Sequence, residues 1–337
     1  MPNRIESEKE LIDQMCSPSP AVREAVAQLD GDIMVLGAGG KMGPTLCELL
    51  VRAGARRVIA VSRYSDTAQR QYLEEVGVET VAADLLDAAA LRDLPEAPYI
   101  YLMAGFKFGA TGNEDTTWAM NTELPGQIVR RFASSQIVYV SSGNVYAYSG
   151  ISSVGADEDG ALEPIGEYAQ SRLGGERLAQ YWARVQGTRL AIARLFYATE
   201  LRYGIIHDLA WKIWQREPID LTMGYVNQIW QGDANAYLCR FFPLCKSPTA
   251  FVNLTGAQVL STRALSERLG QLMDVAPLFV NQEAQDALLG DSRRLFAQLG
   301  TPETEVEQML EWTAHWVQQG GKSLGKPTKY ESRSGKF

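Results

Sequence analysis

The stretch DIMVLGAGGKMG at residues 32–43 limits what this chain can fold into more than any other. Ile33, Met34, Val35 and Leu36 form an apolar run too short for a helix and suited to a buried strand. Gly37, Gly40 and Gly43 follow with the spacing G-x-x-G-x-x-G. From residue 41 to 53 the apolar Met42, Leu46, Leu49, Leu50 and Ala53 recur at helical intervals. Strand, glycine turn and helix are what a dinucleotide phosphate site requires. The glycines let the backbone approach the pyrophosphate, and the helix start offers N–H groups to its charge. Gly37, Gly40, Lys41, Met42 and Gly43 are the expected cofactor contacts. The commoner G-x-G-x-x-G fails, because Met42 sits where its last glycine belongs. A P-loop also fails, because Met42 follows Gly40-Lys41 where Ser or Thr would hold magnesium.

The 337 residues suffice for one large domain or two small ones with a substantial core. With 32 basic and 40 acidic residues the net charge is −8, which disfavours nucleic acid as a partner. No apolar stretch reaches membrane-spanning length and residues 1–20 lack the apolar core of a signal peptide, so no membrane partner is expected. Cys16, Cys47, Cys239 and Cys245 show neither metal nor redox spacing and read as reduced thiols of a cytoplasmic protein. His207 and His315 lie far apart, so no metal centre is expected.

Further strands at 57–62, 79–83, 99–103, 136–141 and 189–195 alternate with helices at 66–76, 87–93, 116–133 and 167–187. This alternation predicts an α/β fold, a Rossmann-like doubly wound parallel sheet over residues 31–195 that binds ligands beyond the carboxyl ends of its strands. Residues 1–30 read as a lead-in of two short helices, 4–15 and 20–29, packed beside the first strand. After 195 the alternation weakens. Helices at 204–216, about 233–242, 262–273 and 303–318, with strands at 219–222 and 251–254, predict a smaller substrate lobe over 196–320, some of whose elements return to the main sheet. The polar, basic tail 321–337 reads as a loosely ordered end.

Arg63 follows the second strand where an NAD site usually places an acidic residue for the ribose hydroxyls. An arginine fork suits a 2′-phosphate, so NADP is preferred over NAD as cofactor. The fifth strand runs into Ser142-Gly-Asn144-Val-Tyr146, and some twenty-five residues later Tyr168 and Arg172 stand four apart on one helical face. Free tyrosine, with a pKa of about 10, is a poor base at neutral pH. A nearby cation stabilises the phenolate, and a serine hydroxyl can bond the same substrate oxygen. Ser142, Tyr168 and Arg172 could thus move a proton on or off a carbinol oxygen while hydride exchanges with nicotinamide.

Taken in order, these residues resemble the extended short-chain dehydrogenase/reductases, the NAD-dependent epimerase/dehydratase family. The resemblance covers residues 32–318 and implies roles for several more positions. Asp84-Leu85 resembles the pair that contacts adenine, and Met103-Ala104-Gly105 the turn beside the cofactor. Asn121 matches an asparagine of the long central helix. Ser142 is implied as the catalytic hydroxyl, and Tyr168 as the tyrosine of Y-x-x-x-K. Arg194 and the run to Gly204 resemble the segment after strand six, and Arg194, with Lys107 and Asn144, is a candidate substrate contact. Asp233 and Val252-Asn253-Leu254 fit the substrate lobe.

Arg172 departs from the family lysine. It keeps the charge and the donors but cannot readily release a proton. Lys107 could bind an anionic substrate group, partly replace that lysine, or be a solvated loop residue. Asn144, an amide, cannot be a general acid, which argues against a dehydratase that needs one there. The resemblance implies an NAD(P)-dependent oxidoreductase or epimerase acting on a hydroxyl or ketone of a sugar, sugar acid or sugar nucleotide. The alternative is a non-catalytic NAD(P)-binding regulator. A homodimer is also expected, through helices 116–133 and 167–187, with Leu178, Tyr181, Trp182 and Val185 as an apolar stripe.

Overall fold

The computed structural model describes residues 4–107, 109 and 111–335. Seven parallel strands form one sheet: β1 (Ile33–Leu36), β2 (Val58–Ser62), β3 (Glu79–Ala82), β4 (Tyr99–Leu102), β5 (Gln136–Ser142), β6 (Arg189–Leu195) and β7 (Ala250–Leu254). Their order is β7-β6-β5-β4-β1-β2-β3, and every neighbouring pair is parallel. The order reverses between β1 and β4, in register from Ile33 opposite Tyr99 to Leu36 opposite Leu102. That reversal opens a crevice beyond the carboxyl ends of the two strands. All four residues of β1 and of β4 are buried, as continuous apolar runs covered on both faces must be, whereas β3 at the sheet edge is half exposed.

Alternate residues of β1 serve different cores. Ile33 and Val35 face the layer of α3 (Gly43–Arg52), while Met34 and Leu36 face the layer of α7 (Leu124–Arg131) and α8 (Gly166–Gln186). The strand predicted at 251–254 is β7, which returns from the C-terminal part to pair with β6. A separate lobe core gathers α9 (Ile205–Trp214), α11 (Thr262–Met273) and α13 (Val306–Gln318) around the buried Trp230, Trp312 and Trp316.

Four features differ from the sequence reading. The lead-in helices α1 (Glu8–Met15) and α2 (Pro20–Ala27) part company: Val22 and Val26 of α2 join the sheet core, but Leu11 and Met15 of α1 join the lobe core. The helix expected at 116–133 is broken by a π-turn at Ala119–Glu123, between an α-helical stretch at Glu114–Trp118 and α7. A helix at Arg293–Leu299 was not expected. The tail is not loose. Tyr330 is 2 % exposed within the lobe core, Lys212 pairs with Glu331, and the Arg333 guanidinium bonds Asp286 and lies 4.3 Å from the Tyr148 ring. A basic, polar composition concealed one aromatic anchor, two ion pairs and one cation–π contact to distant residues. No helix of the described residues is long and apolar enough to cross a membrane, and none of them form a group of three potential metal ligands.

Candidate active site

A cleft of about 280 Å³ lies at the strand-order reversal. It is lined by the glycine turn (Gly37, Gly40, Lys41, Met42, Gly43), by Met103, Gly105, Phe106 and Lys107 after β4, and by Ser142 and Asn144 after β5. Tyr168 and Arg172 of α8, segments after β6 and Thr328 of the tail complete it. A roomier cavity of about 560 Å³, between the N-terminal helices and Trp230, shares none of these lining residues.

Steric demands fix the glycine turn. Gly37 has φ +87°, and a Cβ there would lie 2.5 Å from the backbone nitrogen of Ala104 in the turn after β4. A Cβ on Gly43 would lie 2.3 Å from the Ala38 carbonyl oxygen, so only glycine lets α3 start against the turn. No side chain caps this helix start. Its leading N–H groups therefore suit an anion, and the turn fits a dinucleotide pyrophosphate. Arg63 follows β2, exposed, and Asp84 follows β3, also exposed. Both stand outside the cleft proper on the neighbouring strand ends, and Leu85 is buried in the core.

The turn after β4 is held by Asn121. Its Oδ1 accepts from Phe106 N at 2.8 Å, and its Nδ2 donates to Phe106 O at 2.9 Å and to Ser171 Oγ at 3.1 Å. Ser171 Oγ in turn donates to the Tyr168 carbonyl at 2.8 Å. The π-turn is what aims Asn121 inward, a use typical of such bulges. Asn121 thereby ties the floor of the cleft to the first turn of α8.

Ser142 is 5 % exposed. Its Oγ accepts from Asn144 N at 3.2 Å and Asn144 Nδ2 at 3.0 Å. With both donors aimed at it, the hydroxyl proton is left to point elsewhere, and Asn144 acts as an orienting group. Arg172 is buried. It donates to the Val140 carbonyl and, at 3.4 Å, to the Ala104 carbonyl, and its guanidinium carbon lies 5.1 Å from the Tyr139 ring centre. Its fork spans the ends of β5 and β4. Arg194 does not line the cleft. Only 2 % exposed, it is bound to Glu176 of α8 and donates to Tyr146 Oη at 2.7 Å.

Two lysines point into the cleft. Lys41 Nζ donates to the Ala198 carbonyl at 2.9 Å and lies 3.8 Å from the Tyr203 ring centre. Lys107 Nζ lies 5.7 Å from the Tyr168 ring centre. Burial lowers both pKa values, to about 7 for Lys41 and about 8 for Lys107. Glu200 opposes the shift at Lys41 and Asp208 that at Lys107, while repulsion from Lys107 adds to the shift of Lys41. Tyr203 and Thr328 were not anticipated. Tyr203 lies in the run after strand six but was given no role of its own, and Thr328 lies in a tail that carried no local signal.

Residues 33–199 match the family model described as the NAD dependent epimerase/dehydratase family. No curated protein matches the sequence. Among solved structures, the UDP-glucuronic acid 4-epimerase of Bacillus cereus in complex with NAD is similar, with a TM-score of 0.72 and 17 % identity, covering 86 % of this chain and 97 % of that one. A short-chain dehydrogenase/reductase superfamily protein of Agrobacterium tumefaciens with bound NAD has a TM-score of 0.73 and 19 % identity over 86 % and 98 %. MoeE5 in complex with UDP-glucuronic acid and NAD has a TM-score of 0.69 and 19 % identity over 86 % and 99 %. These likenesses bear on the fold.

Proposed function

Because this chain belongs to the NAD-dependent epimerase/dehydratase family, we propose that it oxidises or reduces a carbinol carbon of a sugar, sugar acid or sugar nucleotide with a bound nicotinamide dinucleotide. What supports this reading is that the glycine turn, Ser142 and Tyr168 line one cleft at the strand-order reversal. The nicotinamide supplies hydride acceptance or donation. Tyr168 exchanges the carbinol proton, and Ser142, oriented by Asn144, hydrogen-bonds the same oxygen. Arg172, in the position of the family lysine, keeps a fixed positive charge one helical turn from Tyr168 without serving as a proton relay. The test is the nucleotide released from purified protein, with its redox state, followed by NADH and NADPH titration. Oxidised nucleotide held tightly indicates an epimerase-like cycle, and exchangeable nucleotide a net dehydrogenase or reductase. Failure to bind either nucleotide would sink the reading.

The three solved neighbours are complexes with NAD. We assign NADP preference to this chain from Arg63, which stands exposed just past β2. Arg63→Ala should weaken NADPH binding about tenfold, the scale of a charge-assisted bond, and leave NADH unchanged. Equal losses for both nucleotides would refute the assignment.

We also propose a homodimer. Leu178, Tyr181 and Val185 of α8 are 37 %, 47 % and 55 % exposed in the single chain, an apolar stripe with no cover of its own. Light scattering at micromolar concentration should give twice the chain mass, and Val185→Asp should give the monomer. A monomeric parent protein removes this proposal. The four cysteines are buried and unpaired, which fits the reducing cytoplasm.

A further inference from the structure

We propose that residues 322–335 form a strap over the lobe side of the cleft, latched by Thr328 on Asp208, that lifts to admit and release the molecule the cleft acts on. Its role as a gate rests on the reading of this cleft as the place of carbinol chemistry. On the lobe, Ser323 Oγ meets His207 Nε2 at 3.0 Å and Glu331 pairs with Lys212 at 3.3 Å, both partners lying on α9. Between these seats Thr328 lines the cleft together with Tyr203 and Gly204. Its N–H donates to Asp208 Oδ2 at 2.8 Å, and its hydroxyl donates to the same oxygen at 2.6 Å. Further on, Gly335 lies against Gly166, the first residue of α8. A Cβ on Gly166 would stand 2.6 Å from the Gly335 carbonyl oxygen. Tyr168 follows two residues later. The segment therefore joins the lobe to the start of the helix that carries Tyr168, passing the cleft on the way.

The bonds that hold this segment set it apart from the lobe beneath it. It contains no helix or strand. Among the described residues its N–H groups make two bonds to backbone carbonyls, Leu324 to Arg202 and Ser332 to Lys329. The other anchors are side chains. Besides the latch, Arg333 donates to the Asp286 carbonyl at 3.0 Å and pairs with the Asp286 carboxylate at 2.5 Å. Tyr330, buried in the lobe core, keeps the closed state dominant. A helix such as α13 opens only by breaking its own ladder of hydrogen bonds, whereas a segment held by separate side-chain contacts opens by itself. Segments of that kind beside a site keep water from the reaction and set the rates of entry and release.

The experiment places a thiol in the cleft by Ser142→Cys and times its reaction with N-ethylmaleimide in the full chain. The four native cysteines are buried, and burial raises their thiol pKa values, so they stay silent toward the reagent. Labelling is compared in Ser142→Cys alone and with Asp208→Ala, Thr328→Val or Arg333→Gln added. Hydrogen exchange of residues 322–335 and of α13 is followed in parallel. In Ser142→Cys alone the tail should exchange at least about a hundredfold faster than α13. Asp208→Ala should speed both tail exchange and labelling about tenfold, the scale of one hydrogen bond to a charged group, with α13 unchanged. Thr328→Val and Arg333→Gln should act in the same direction. Tail exchange at the rate of α13 overturns the strap and makes the segment a fixed part of the lobe. Faster tail exchange with labelling unchanged also overturns it, because the cleft is then entered elsewhere. Should Asp208→Ala loosen α13 as well, the other two variants decide by the same pair of readouts. Neither nucleotide nor substrate is added, so the strap can fail while the carbinol reading stands, and the carbinol reading can fail without touching this result.

Discussion

Tyr168→Phe is expected to bind nicotinamide dinucleotide as the parent protein does and to lose turnover about a thousandfold, the scale of a removed general acid–base group. The variant keeps the ring that stands 5.7 Å from Lys107 Nζ and deletes only the hydroxyl. The backbone of the residue stays fixed, since Ser171 Oγ bonds its carbonyl and Asn121 holds Ser171. Ser142 cannot replace the lost group, because its hydroxyl oxygen is already met by two donors from Asn144 and a serine hydroxyl is a far weaker acid–base group than a phenol. An active Tyr168→Phe would refute the proposed proton transfer. A parent protein that binds nucleotide and transfers hydride to no carbonyl or carbinol substrate would favour the regulator. Arg172→Lys separates charge from shape. An ammonium cannot span the Val140 and Ala104 carbonyls as the guanidinium fork does, so a gain in activity on substitution would mean that the fork serves only the strand ends.

The parts of this site legible in the sequence are those whose physics is local. An apolar run of four, glycines three apart and a helical apolar stripe gave β1, the turn and α3, because a close backbone approach excludes every side chain but hydrogen. Ser142 and Tyr168, which line the same cleft, were singled out by their order along the chain. What escaped depends on contacts between distant residues. The π-turn at Asn121 has no local period that sets it apart from an ordinary helix. Lys41 read as a turn residue with backbone duties, yet its side chain crosses the cleft to a carbonyl more than 150 positions away. Thr328 meets Asp208 across 120 positions. Arg194 was placed at the substrate by likeness of position, whereas its partner Glu176 lies inside a helix that appeared amphipathic on other grounds.

Glu176→Gln should cost the fold ~3–5 kcal/mol, the usual penalty for leaving one member of a buried ion pair without its counter-charge. In a chain of this length that lowers Tm by roughly 5 °C. Glu176 is 0 % exposed and Arg194 2 %, so no water replaces the lost carboxylate. Arg194 Nη2 reaches Glu176 at 2.8 Å, and Nε bonds both carboxylate oxygens. The same guanidinium donates to Tyr146 Oη, and Tyr146 donates onward to Asn253 Oδ1 at 2.8 Å. One charge pair thus binds α8, β6, the loop after Ser142 and β7 into a single polar network. The face of α8 that carries Tyr168 and Arg172 also carries Glu176, two turns and one turn further on. The double variant Glu176→Leu, Arg194→Met removes both charges, and it should recover most of the stability that the single variant loses, since apolar residues of similar volume can replace a buried pair. Measured below its melting temperature, Glu176→Gln should alter kcat more than KM, because the network orients the Tyr168 helix and none of Glu176, Arg194, Tyr146 and Asn253 lines the cleft itself. A rise in KM with Tm unchanged would instead return Arg194 to the substrate contacts.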